Sequence, residues 1–128
     1  MRLLLDSHAL IWYVDQDHLV SRAAHAVIGD PTNDLLLSAA TIWEVSIKLS
    51  LGKLTLSLPF RQWMSQAMSD LGVAVLPITV EYADVQASLP NHHRDPFDRL
   101  LVAQAQVENL PLVSNDSVFD RYGITRLW

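Results

Sequence analysis

The 128 residues contain no cysteine. That absence removes disulfides, thiolate nucleophiles and zinc–thiolate sites together, and it leaves carboxylates and histidines as the side chains available for chemistry. Long apolar runs are also missing. The most apolar stretches, "LLLD" at the start, "DLLLSAA" at 34–40 and "VAVLPI" at 73–78, are short and interrupted, far below the roughly 20 residues that cross a bilayer. The amino terminus offers one arginine and three leucines before Asp6, too little for a signal-peptide core. The expectation is a cytoplasmic protein with no membrane partner. Positive charge is scarce as well. With a net charge of −5, the chain does not coat nucleic acid through a broad positive field, so a nucleic-acid substrate needs a local site.

What is present suits a folded domain. Half of the residues are apolar and 18% are charged, and a chain of this length can bury one real core without a linker. No internal repeat and no low-complexity tract interrupts it. The whole of 1–128 is therefore expected to be a single domain.

Apolar strands and helical stripes alternate along it. "RLLLD" reads as a buried strand ending at Asp6, followed by the helix "SHALIWYVD". Ser21 can cap a short helix "RAAHAVIGD", and "DLLLS" is a second strand. Ser38 stands where a cap would open "AATIWEVSIKLSLGK", which Gly52 stops. Pro59 opens a helix closed by Gly72, "VAVLPI" is a third buried strand, and "TVEYADVQASLP" a short helix. Asp95-Pro96 opens a long helix to about Asn109, then come "LPLVS", a turn at "NDSVFDRYG", and a fifth strand at "ITRLW". Strands that are continuously apolar, alternating with helices, imply an α/β fold: a mainly parallel sheet of four to five strands covered on both faces.

Ligands of such sheets bind beyond the carboxyl ends of the strands, and acids collect there. Asp6 ends the first strand and Asp116 follows the fourth, beside Ser114 and Asn115; Glu44 and Asp98 sit early in helices. Each has a plain structural explanation. Asp6 suits a helix cap, Asp116 an Asx-turn, Asp95 a cap before a proline, Asp98 the helix dipole, and Glu44 an ion pair with Lys48 one turn on. In combination they say more. Carboxylates converging at one sheet end would repel unless a cation neutralised them. Oxygen ligands select hard ions such as Mg²⁺ or Mn²⁺, one or two of them, which is the arrangement for in-line hydrolysis of a phosphodiester without a nucleophilic side chain.

Two rival folds fit poorly. A receiver-type domain needs an acidic pair after the first strand and a late lysine, and a haloacid-dehalogenase-like phosphatase needs Asp where His8 stands. The segments "LLLDSHALIW", "SAATIWEVSIKLSLGKL", "HHRDPFDRLLVAQA" and "LPLVSNDSVFDRYGI" together resemble the PIN-domain ribonucleases, and most closely VapC-like toxins of type II toxin–antitoxin pairs. The resemblance runs from residue 2 to about 124. It implies a three-layer α/β/α PIN-like fold and a Mg²⁺- or Mn²⁺-dependent endoribonuclease, with Asp6, Glu44, Asp98 and Asp116 as catalytic and metal-binding acids. Ser114 and Asn115 match the family's polar pair, and Asp95 matches its "RDPFDR" form, as the cap that holds Asp98. A cognate antitoxin and a homodimer are further implications. The competing possibilities are a DNA nuclease of the same fold and a non-catalytic nucleic-acid or protein-binding module; the small size leans towards RNA.

Other side chains carry weaker expectations. Arg94, Arg99 and Lys48 are candidate RNA contacts. His92 and His93 read as a solvated loop that could touch phosphate, and His8 as a helix-face residue that could border the site. Asp120 is a possible substitute ligand, otherwise a solvated acid. Trp12 and Trp43 are expected in the core, as is the stripe of Trp63, Met64, Ala67 and Met68, whose alternative role is a partner surface.

Overall fold

A computed structural model describes all residues 1–128. Five strands, β1 (Arg2–Leu5), β2 (Asp34–Ser38), β3 (Ala74–Leu76), β4 (Leu112–Val113) and β5 (Arg126–Leu127), form one sheet in the order β3-β2-β1-β4-β5. Every pairing is parallel. Between them run α1 (Ser7–Asp15), α2 (Arg22–Gly29), α3 (Ala39–Ser50), α4 (Phe60–Leu71), α5 (Val80–Ala87) and α6 (Pro96–Glu108), with a 3₁₀ helix at Ser117–Tyr122.

The alternation of side chains along a strand explains the layering. Leu4, Leu36, Leu76 and Leu112 point to one face, where they pack with Tyr82, Phe119 and the buried residues of α6. Leu3, Leu5, Leu35, Leu37 and Val113 point to the other, against Leu10, Ile28, Val45 and Trp63 from α1 to α4. The central strands are apolar throughout because helices cover both faces. The result is the three-layer α/β/α arrangement expected from the sequence.

Local chemistry sets the helix starts. Ser21 Oγ accepts from the Ala24 amide and Ser38 Oγ from the Ala40 amide. Asp95 Oδ1 accepts from the Phe97 amide at 2.7 Å with Pro96 at the first helical position, the pairing expected for this start. Asn109 ends α6 in the left-handed region at φ 52°, where Asn is tolerated.

Three expectations change. β3 is not a buried strand: only Leu76 of its three residues is buried, because it lies at the sheet edge. Trp43 is 62% exposed and Trp12 only half-buried, so neither belongs to the core. Trp63, Met64 and Ala67, by contrast, are interior, so that stripe packs inward. No helix is long and apolar enough to cross a membrane.

Candidate active site

The ends of β1 and β4, the first half of α3 and the start of α6 meet at one cleft. Asp6 follows β1 directly, its amide bonded to the Val113 carbonyl at 3.1 Å. Its side chain caps nothing; instead Oδ2 accepts from Ser114 Oγ at 2.7 Å, and Oδ1 is 3.4 Å from Ser7 Oγ. Ser114 is fully buried and also accepts from the Asp116 amide at 3.1 Å. One hydroxyl thereby ties the two strand-end acids together.

Asp116 starts the 3₁₀ helix, its Oδ1 accepting from the Val118 amide at 3.0 Å. Its Oδ2 lies 2.8 Å from His93 Nε2. Asp98 stands in the first turn of α6, placed there by the Asp95 cap. Glu44 is 2% exposed and its Oε2 forms an ion pair with Lys48. Its Oε1 is buried with no hydrogen-bond partner. Asp6, Glu44, Lys48, Asp98, Asn115 and Asp116 line a cleft of about 270 Å³, with His8 and Trp12 at its rim.

Charge in this cleft is out of balance. Burial pushes the Asp98 carboxyl up to about 7, and repulsion from Asp95, Asp6, Glu44 and Asp116 adds to it. Burial also raises Glu44, although the Lys48 ammonium pulls it back. Lys48 is itself held protonated by Glu44, Asp95 and Asp98 against its own burial. A single ammonium cannot neutralise so many acids, and an orphaned buried carboxylate oxygen is costly. The residues therefore fit a hard divalent cation: oxygen donors, excess negative charge and a buried donor atom in want of a partner.

Lys48 is the ion-pair partner of Glu44 as well as a wall of the cleft. The Lys48→Met substitution is expected to lower metal-free stability by about 2 kcal/mol, because it strands a buried carboxylate whose partner was itself partly solvated. Urea unfolding would measure this, with the Glu44→Gln/Lys48→Met double variant recovering most of the loss; equal losses in both variants would disprove the account.

Several residues named from the sequence lie elsewhere. The Arg99 guanidinium donates to the carbonyls of Pro90 at 3.0 Å, Gln86 at 3.1 Å and Leu89 at 3.2 Å. It clamps the α5–α6 connection instead of facing the cleft. Arg94 is exposed outside the cleft wall. Asp120 pairs with Arg126 at 2.9 and 3.1 Å and is exposed, so it does not substitute for Asp116. His8, by contrast, does border the cleft, exposed and tilted against Trp12 with ring centroids 5.3 Å apart.

His93 overturns the solvated-loop expectation. Its side chain is 9% exposed, packed on Phe119 with centroids 4.5 Å apart and bonded to Asp116. Sequence spacing gave no warning, since the partner lies 23 residues on. Trp43 was likewise misplaced; outside the core, it meets Phe97 edge-on at 5.7 Å, and these two aromatics are the sequence neighbours of Glu44 and Asp98.

The five-stranded parallel sheet gathers acids beyond the carboxyl ends of its strands. The PIN domain family model matches residues 3–124, and the chain belongs to that family, which implies a nuclease. Solved structures share the fold. Over 98% of this chain it superposes on 97% of a chain of the VapBC2 complex from Rickettsia felis bound to a promoter DNA fragment, with TM-score 0.66 and 16% identity. A chain of FitAcB from Neisseria gonorrhoeae gives TM-score 0.68 at 18% identity, covering 98% of this chain and 96% of that one. VapBC-1 from nontypeable Haemophilus influenzae gives 0.63 at 16% identity, with 98% and 96% covered. No curated protein matches the sequence.

Proposed function

We propose that residues 1–128 form a single PIN-like domain acting as a divalent-metal-dependent endoribonuclease, the toxin of a type II toxin–antitoxin pair. The observation that carries the nuclease reading is the partnerless, buried Oε1 of Glu44 in a cleft whose Asp98 carboxyl is pushed up to about 7. Both features favour a bound cation.

Asp6, Glu44, Asp98 and Asp116 would hold one or two Mg²⁺ or Mn²⁺ ions. When bound, such ions supply Lewis acidity towards the phosphate and acidify water for in-line hydrolysis. The chain's own groups do the positioning. Ser114 orients the Asp6 carboxylate and ties it to the backbone of Asp116. Asp95 fixes the start of α6 and so the place of Asp98. Lys48 favours the charged form of Glu44, offsetting part of the effect of its burial. Asn115 adds a neutral polar group to the wall.

Single-stranded RNA suits the rim of this cleft. Trp12 lines the cleft, and an aromatic face of this kind can stack on an unpaired base. The net charge of −5 offers no broad grip on a duplex. A cognate antitoxin belongs to this reading because solved structures of the same fold include toxin–antitoxin complexes. Homodimer formation and action in the cytoplasm complete it, following the resemblance of the sequence motifs.

The test is brief induction of the wild type without an antitoxin, beside Asp6→Asn, with new RNA 5′ ends mapped across the transcriptome. Discrete ends produced only by the wild type are expected. The same ends from both proteins, or none from either when both are folded, would reject the ribonuclease assignment.

A further inference from the structure

We infer that His93 is a positioning residue: it holds the Asp116 carboxylate towards the cleft, preorganised to bind a cation. This rests on the metal-dependent reading above. The hydrogen bonds engage both nitrogens of the imidazole. Asp116 Oδ2, 2.8 Å from Nε2, belongs to a carboxylate and only accepts, so Nε2 carries a proton. The Tyr122 hydroxyl oxygen accepts from the His93 backbone amide at 2.8 Å and lies 3.1 Å from Nδ1. The hydroxyl engages Nδ1 either by donating its own proton to it or by accepting from it with its second lone pair.

Both ring nitrogens are thereby engaged. The nitrogen and oxygen donors of His93, Asp98 and Asp116 all lie within 4.8 Å of one another, yet the imidazole has no lone pair left to offer a cation. Its part is played through Asp116. Phe119 and Tyr122, both buried, hold the ring in place. Asp116 is 37% exposed and anchored on its other oxygen only by the Val118 amide. Without the imidazole this carboxylate could swing out into solvent. Outer groups that orient a ligand in this way typically change cation affinity by about 10–100-fold.

Mn²⁺ titration followed by electron paramagnetic resonance tests this on the full chain. Gln at position 93 can reach Asp116 with its amide nitrogen and accept from Tyr122 with its oxygen, whereas Asn is too short to reach. His93→Asn is expected to weaken Mn²⁺ binding by about 10–100-fold and His93→Gln to restore it close to wild type. His93→Phe, which keeps the ring packing, is expected to behave like Asn; should it fail to fold, the Asn and Gln contrast still decides. Wild-type affinity in folded His93→Asn would overturn the inference and leave the proposed function standing. A directly bonded ¹⁴N coupling in the spin-echo spectrum of the wild type that disappears in His93→Phe would make His93 a ligand and also overturn it. A folded wild type that binds no Mn²⁺ would overturn the proposed function, and this inference with it.

Discussion

Asp98→Asn is expected to lower RNA cleavage by about 10³-fold or more while making the metal-free protein more stable. The loss follows from removing a charged donor where charge develops in the transition state. The gain follows from the same electrostatics in the ground state. Asp98 is half-buried beside Asp95, Asp6, Glu44 and Asp116, and burial, with repulsion from those acids added to it, pushes its carboxyl from 3.8 to about 7. Asn keeps nearly the same shape, carries no charge and relieves that repulsion. Such opposition between stability and function is common where a site is held in a strained electrostatic state. Cleavage of the RNA identified by end mapping gives the first quantity, and urea unfolding in a chelator gives the second. A variant as active as wild type would remove Asp98 from the site; one that is less stable would show that its carboxylate is satisfied within the fold.

The second large effect is on pH and divalent cations. Asp98 has a raised pKa in the folded chain, so between about pH 4 and 7 the folded state holds a proton that the unfolded state releases. Stability therefore falls as pH rises through that window. A fully enclosed group with this shift would forfeit about 4 kcal/mol, and partial solvent screening at a half-buried side chain reduces this to about 2 kcal/mol. Asp15, Asp30 and Asp120 are held below their ordinary values by hydrogen bonds and act in the opposite direction at lower pH. Subtracting the Asp98→Asn profile from the wild-type profile cancels them. The difference should slope downwards across the window in chelator. Adding Mn²⁺ at pH 7.5 should recover the stability, by about 2.7 kcal/mol at a concentration one hundred times the dissociation constant. A flat difference profile, or no gain on adding Mn²⁺, would contradict the charge imbalance inferred for the cleft.

The features readable from sequence are those governed by short-range rules. Ser21, Ser38 and Asp95 cap their helices because a side-chain oxygen meets an amide two or three residues on. Unbroken leucine runs in β1 and β2 read as strands covered on both faces, and they are. Asp6, Glu44, Asp98 and Asp116 could be nominated because parallel sheets gather ligands at one end. The structure brings those four to one cleft.

What escaped the sequence depends on the order and facing of elements. The apolar residues of "VAVLPI" match a central strand, yet β3 occupies an edge, and strand order is decided by how the crossovers pack and not by the strand itself. Trp43 and Trp63 both sit in apolar helices, but one faces solvent and the other the core. Arg99 looked free to bind phosphate until the α5–α6 connection brought carbonyls around it.

By itself, then, the amino-acid order determined the alternation of strands and helices, the helix starts and the set of acids, since these follow from contacts within a few residues. Only the tertiary structure decided that His93 holds Asp116, that Ser114 links Asp116 to Asp6, and that Glu44 keeps one buried oxygen without a partner. The reason is physical. Hydrogen bonds and charge repulsion act through a few ångströms of space, and folding alone brings residue 6 beside 114 and 93 beside 116.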